Sequence, residues 1–248
     1  MRYDRDIFFD TVRDDPFDGS LTEGQVEGLD AVLDAWEHWR PDGDVRHLAY
    51  MLATDFHETA QTMQPIEEYG KGEGKEYGEV DQETGQAYYG RGLVQLTWRE
   101  NYARADEELL ILTGALIGLE AEADKALHPL VAVAVMFLGM ERGWFTTKKL
   151  SDYFNEERDD PVNARQIING NDKDDLIAGY HSSFMLALSL SQIPEEAAAL
   201  PPLPVPEGPE PFVSTLKMGG HEVVVQIGPE FMVKIWVDGE PWDAAEMD

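Results

Sequence analysis

Glu58 and Glu67, nine positions apart, are the first residues in this chain whose type and spacing could do chemistry. Glu58 follows a stretch in which Leu48, Leu52 and Phe56 share one helical face, so it is expected near the C-terminal end of a helix. At that place the helix dipole and partial burial both disfavour a charged carboxylate, which suits a proton donor. Glu67 falls in the glycine- and tyrosine-rich segment that follows, where a carboxylate can stay ionised and activate a water. Two carboxyl groups in different surroundings are what hydrolysis of a glycosidic bond requires. Asp and Glu together number 49, so the bland alternative is a surface helix end and one more solvated acid.

A second stretch, "YYGRGLVQLTWRENY" from Tyr88 to Tyr102, crowds rings, glycines and neutral polar side chains together. Tyr88, Tyr89 and Trp98 can present flat apolar faces, as a sugar ring requires for stacking. Gln95, Thr97 and Asn101 can donate and accept hydrogen bonds without charge, matching hydroxyl and N-acetyl groups. Gly90 and Gly92 permit close backbone approach or a positive φ. The same pattern also fits a buried strand and a helix starting at Thr97, with the rings in the core.

Other motifs fall short. His57-Glu58 lacks the second histidine of a zinc helix, because position 61 is Gln, and the six histidines show no ligand spacing. "GKGEGKEYG" lacks the Gly-Lys-Ser/Thr of a phosphate loop. "NDKDD" at 171–175 reads better as an acidic helix start than as a calcium loop. The absence of cysteine removes disulfides and thiolate catalysis, and no G-x-S-x-G elbow occurs. No metal and no cofactor is expected.

These residues need a scaffold, and the sequence outlines one. Thr22 with Gln25 forms a capping box ahead of Val26, Leu29, Val32, Leu33 and Trp36, and Pro41 ends that helix. Asp44 can cap the next helix. Gln64 to Gly90 reads as a long loop or small hairpin region. Pro129–Glu141 is apolar nearly all round and predicts a central buried helix, too short to span a bilayer. Further helices are expected at Pro161–Asn169 and Lys173–Ser191. Seven prolines between Pro194 and Pro211 predict a semi-rigid linker. Beyond it "FVSTLKM", "EVVVQI" and "FMVKIWV" predict an antiparallel meander. The domains are thus expected at 1–193 and 212–248, joined by 194–211.

A net charge of −30 argues against nucleic acid and anionic membranes as partners. Such a surface suits a salt-rich habitat, or simply keeps a protein soluble. The first residues, with an apolar run of three and five aspartates, do not read as a signal peptide. Synthesis in the cytoplasm, with release by another agent, is expected.

"HET" at 57–59, the long motif at 88–102 and "IING" at 167–170 occur in an order that resembles glycoside hydrolase family 19, the chitinases and phage endolysins. The resemblance implies a mainly α, lysozyme-like fold with a cleft between two helical lobes and no metal or cofactor. It implies an inverting reaction with Glu58 as general acid. Gln95, Thr97 and Asn101 would bind sugar and hold the attacking water, Tyr89 would contact substrate, and Asn169 would lie in the cleft. The spacing of Glu58 and Glu67 matches the phage-type arrangement and selects Glu67 as the base, with Glu68 and Glu79 as alternatives. The expected role is a monomeric endolysin cleaving peptidoglycan at the bacterial wall. A chitinase, or a non-catalytic glycan-binding or virion protein, is the alternative. Leu93, Val94 and Leu96 would then anchor the motif in the core while Gln95, Thr97 and Asn101 face the cleft. Arg91 is expected to pair with a nearby acid.

Overall fold

Short polar side chains start the helices where the sequence places them. The computed structural model describes residues 1–113, 116–193, 212–218, 221–227, 233–237 and 240–241. Strand β1 (Arg2–Tyr3) precedes α1 (Arg5–Asp14), whose Asp4 carboxylate accepts the Ile7 amide. At the start of α2 (Glu23–Trp39) the Thr22 hydroxyl accepts the Gln25 amide while Gln25 Oε1 accepts the Thr22 amide. Asp44 caps α3 (Val45–Glu58) through the Arg46 amide. Glu58 is the last residue of that helix, as its sequence position predicts.

Two short strands follow, β2 (Ile66–Glu67) and β3 (Arg91–Gly92), paired antiparallel, and then α4 (Arg99–Thr113). Helix α5 (Pro129–Arg142) opens on proline and closes on Gly143 in the left-handed region, φ 72°. Helix α6 (Asp174–Ser191) leads into β4 (Gln192–Ile193), which pairs antiparallel with β1. The C-terminal strands β5 (Phe212–Met218), β6 (His221–Ile227), β7 (Val233–Val237) and β8 (Glu240–Pro241) pair in sequence order, an antiparallel meander. Mainly helical with a small C-terminal meander is the class the sequence predicts. The proline-rich 194–211 lies outside the described residues.

Helix α5 forms the centre of the core, with every residue from Leu130 to Met140 buried. Trp36 and Trp39 of α2 set their edges against Phe137. Phe56 on α3 meets Phe17, Tyr180 and Phe184, seating α3 on α6. Each buried ring of that kind contributes about 1.5–3 kcal/mol. The seat of α3 is therefore set by rings, and Glu58 at its end inherits that rigidity. Arg5 fastens α1 to α2 through Asp30, Asp34 and Glu37 at 2.9, 2.6 and 2.7 Å. Among the described residues no helix is long and apolar enough to cross a membrane.

Two expectations shift. The helix expected at Pro161–Asn169 is a 3-10 turn, Asn163–Ile167, because the Asp160 carboxylate takes the Asn163 amide and Arg165 N reaches back only to Val162 O. The helix expected from Thr97 begins at Arg99, because Gln95 and Trp98 both hold positive φ, 55° and 71°.

Two buried titratable groups carry opposite signs. His181 of α6 is stacked on Phe154 at 5.3 Å, and burial pushes its pKa down to about 4. Its Nε2 has no hydrogen-bond partner among the described residues. Asp55 of α3 is fully buried, and among the described residues neither carboxyl oxygen has a hydrogen-bond partner within normal geometry; the Thr59 hydroxyl donates to the Asp55 carbonyl at 2.7 Å. Burial raises its carboxyl well above the usual range. Burial favours the protonated form of Asp55, so above the unfolded carboxyl range folding must take up a proton and the contribution of Asp55 falls as pH rises. His181 loses its proton on folding, so its contribution is present above the ordinary histidine range and is lost as pH falls towards about 4. In urea unfolding, His181→Phe should be spared about 2 kcal/mol of the stability that wild type loses between about pH 7 and about pH 5. An identical loss in both proteins would show that His181 does not set the acid limit.

Candidate active site

The β2–β3 ribbon places Glu67 opposite Arg91 and Ile66 opposite Gly92. Gly92 has φ 89°, and a Cβ there would meet the Ala126 carbonyl at 3.1 Å. Arg91 and Leu96 exchange backbone bonds, N to O at 3.2 Å and 2.9 Å, so the chain folds back within six residues. Leu93, Val94 and Leu96 are buried by that turn, as expected of the anchoring residues.

Arg91 is itself buried, 3 % exposed. Its Nε pairs with Asp124 Oδ1 at 2.9 Å, the acid partner that the sequence anticipated without naming. Its Nη1 donates to the carbonyls of Ala87 and Tyr89 and to the Tyr102 hydroxyl. The guanidinium lies 3.7 Å from the Tyr89 ring centroid.

That stacking determines what Tyr89 can do. The ring is 8 % exposed and carries Arg91 over it, so it offers no open face to a sugar. Tyr88 is buried too, with its hydroxyl bonded to Thr84 and the Glu120 carbonyl. Tyr89 instead donates its hydroxyl to Glu67 Oε1 at 2.5 Å, while Lys71 Nζ sits 2.7 Å from Oε2. The bond from Lys71, and then that from Tyr89, hold the Glu67 carboxyl below its ordinary value. Both oxygens are thus ordered, yet the side chain remains 32 % exposed.

The alternatives to Glu67 are differently placed. Glu68 accepts the Tyr77 hydroxyl at 3.0 Å and the Gly90 amide at 3.2 Å, which ties the loop to the ribbon. Glu79 is exposed after the 3-10 turn Glu76–Gly78. Gln95 donates to the carbonyls of Ile66 and Gly92, at 3.4 and 3.3 Å, from a half-buried position beside Glu67. A side chain at Gly90 would strike Gln95 Oε1 at 2.7 Å. Thr97, two residues ahead of α4, and Asn101 on its first turn are both half-buried, Asn101 Nδ2 donating to the Thr97 carbonyl at 2.9 Å.

Glu58 belongs to a second group. Its Oε1 accepts Arg165 Nη1 at 2.7 Å, and that arginine side chain is only 3 % exposed. The sequence reading of Glu58 contained the dipole and desolvation but not this cation. No local pattern could reveal it, because 107 residues separate the pair. Arg165 also donates to the Asp172 carbonyl and accepts the Asn169 amide on its own carbonyl, so the exposed Asn169 shares a turn with the partner of Glu58.

The chain between the two groups is clamped to α2. Gln25 Nε2 bonds the Gln61 carbonyl at 2.9 Å and Gln64 Nε2 bonds that of Gly24 at 2.5 Å. A Cβ on Gly28 would lie 1.8 Å from the Met63 carbonyl, so the backbones touch and glycine is required there. Buried Thr59 accepts the Met63 amide at 3.1 Å. Among the described residues no group of three or more His, Asp or Glu side chains is arranged to hold a metal ion.

No family model and no curated protein matches the chain. Among solved structures it is similar to chitinase C from Streptomyces griseus, at 22 % identity over 78 % of this chain and 95 % of that one, with a TM-score of 0.47. It is also similar to a family GH19, class IV chitinase from Zea mays, at 19 % identity over 76 % of this chain and 94 % of that one, with a TM-score of 0.44.

In carboxyl NMR, the Glu67 titration should lie below the ordinary glutamate range in wild type. It should move up in Lys71→Met, with a smaller upward move in Tyr89→Phe. An unmoved Glu67 titration in Lys71→Met would mean that the ion pair does not form in solution.

Proposed function

We propose that this chain is an inverting glycoside hydrolase that cuts the β-1,4 bond between N-acetylated sugars of bacterial peptidoglycan, acting as an endolysin. The observation that carries the reading is that two glutamates on separate elements are each ordered by a fixed cation, Glu58 by Arg165 and Glu67 by Lys71. Glu67 is held ionised and partly open by Lys71 and Tyr89. Glu58 sits at the rigid end of α3 against a buried arginine. The three sequence motifs, in the order found in glycoside hydrolase family 19, support the same assignment.

In this mechanism Glu58 gives its proton to the glycosidic oxygen as the bond to the anomeric carbon breaks. The carboxylate left behind is met by Arg165, already 2.7 Å from Oε1, so the product charge forms beside a fixed opposite charge. Glu67 takes a proton from a water on the other face of the sugar, and that water attacks the anomeric carbon with inversion. Tyr89 is a positioning residue for Glu67, not a contact for substrate. Gln95, Thr97, Asn101 and Asn169 supply neutral hydrogen-bonding groups for the N-acetyl sugar and the water. Synthesis in the cytoplasm and action at the wall after release complete the reading.

Product analysis on purified peptidoglycan and on chitin oligomers tests the substrate and the acid together. Glu58→Gln should lose roughly a hundredfold or more in kcat, the scale of a general acid. The first product should be the α-anomer. Near-full activity of Glu58→Gln, or a β-anomer, would overturn the mechanism, and cleavage confined to chitin would move the substrate.

The surface charge generates a separate expectation. An anionic wall repels a protein of net charge −30, and the Debye length shrinks from about 10 Å at about 0.1 M salt to about 3 Å at about 1 M. Wall-lytic activity should rise with ionic strength. A maximum in low-salt buffer would show that repulsion does not limit the encounter.

A further inference from the structure

Trp98 breaks two rules of local structure at once. Its φ is 71°, in the left-handed region where a bulky side chain is an outlier. It also stands immediately before α4, where its carbonyl accepts the Asn101 and Tyr102 amides, so it takes the capping position. Caps are normally extended and carry a short oxygen-bearing side chain, whereas indole has only a donor. Asn or Gly would relieve both conflicts.

Burial does not compensate. The Trp98 side chain is 42 % exposed, between Leu96 and Tyr102, which are fully buried. The left-handed turn sets the indole against Tyr77 instead, ring centroids 5.3 Å apart at 75°. Tyr77 in turn is fixed. Its hydroxyl bonds Glu68, the residue next to Glu67. Its 3-10 turn is closed by glycine on glycine, since a Cβ at Gly78 would lie 2.1 Å from the Gly72 carbonyl oxygen. The glycines of "GKGEGKEYG" thus let the loop fold on itself and hold up an aromatic brace. Local rules broken without a packing gain are expected where a ligand is the reason.

We propose that Trp98, braced by Tyr77, is a stacking platform for one pyranose ring of the bound glycan, in a subsite adjoining the one served by Glu67. The inference rests on the glycosidase reading and extends it to a second sugar. The C–H face of a pyranose packs on indole, and the indole N–H can donate to a hydroxyl or an N-acetyl carbonyl. The platform is neutral, and half-buried Thr97 and Asn101 on the same turn add polar contacts. The exposure of Trp98 and its link to Glu67 through Tyr77 and Glu68 place it within reach of the same chain of sugars.

Trp98→Asn is the informative variant, because asparagine suits both the φ and the cap. It should melt no lower than wild type, while KM on the polymer rises about three- to tenfold and kcat changes far less, the scale of one aromatic contact. Trp98→Tyr should recover most of the KM. In a Glu58→Gln background, N-acetylglucosamine oligomers should shift the tryptophan fluorescence, and Trp98→Phe should remove that shift. A lower melting temperature with unchanged KM in Trp98→Asn, or a shift that persists without Trp98, overturns the platform. If wild type hydrolyses no glycan yet binds oligomers through Trp98, the enzymatic reading fails and the platform stands.

Discussion

The buried guanidinium of Arg91 is the constraint on which the ribbon depends. A charge this deeply buried is tolerated only when its donors are matched, and here Asp124, two carbonyls and the Tyr102 hydroxyl match them. Those bonds join β3 to α4 and to the 3-10 turn Ala123–Leu127. The same guanidinium covers the Tyr89 ring, and Tyr89 orders Glu67. The position of the carboxylate is therefore set from beneath, by a cation that never reaches solvent. Replacing Arg91 by lysine would keep the charge but lose the planar fork on which that arrangement rests.

Glu58 is organised on the same plan by different elements. Arg165 is as buried as Arg91 and ties the end of α3 to the turn that carries Asn169. In a chain with 19 lysines and arginines against 49 acids, two of the arginines are enclosed beside the glutamates instead of offsetting the surface. Between them, α2 grips residues 61–64 through Gly24, Gln25 and Gly28. The nine-position spacing of the two glutamates is thus held at both ends and in the middle.

Much of this fold could be read from the chain because its causes are local. Thr22 with Gln25, the apolar run after Pro129 and the alternating strands beyond residue 211 each contain their own reason for their structure. Arg91 could be assigned a salt bridge by type, since a lone arginine among apolar residues must find an acid. What escaped reading depends on contacts distant in sequence or on which way a ring turns. The partner of Glu58 lies 107 positions away. Tyr88 and Tyr89 are adjacent and look alike, yet one bonds Thr84 and the other Glu67, and neither leaves a face free. The late start of α4 follows from two positive φ values at residues that ordinarily avoid them.

The pairing of β1 with β4 has a mechanical consequence. Asp4 N bonds Ser191 O at 2.8 Å beside that two-residue ladder, and Arg5 follows at once with its three carboxylates on α2. Tension arriving through the chain after Ile193 is first resisted by β4 sheared along β1. It then passes through Arg5 into α2. β4 follows directly from α6, the helix on which α3 is seated, so the ladder and Arg5 share with α1 and α2 a load that α6 would otherwise carry alone.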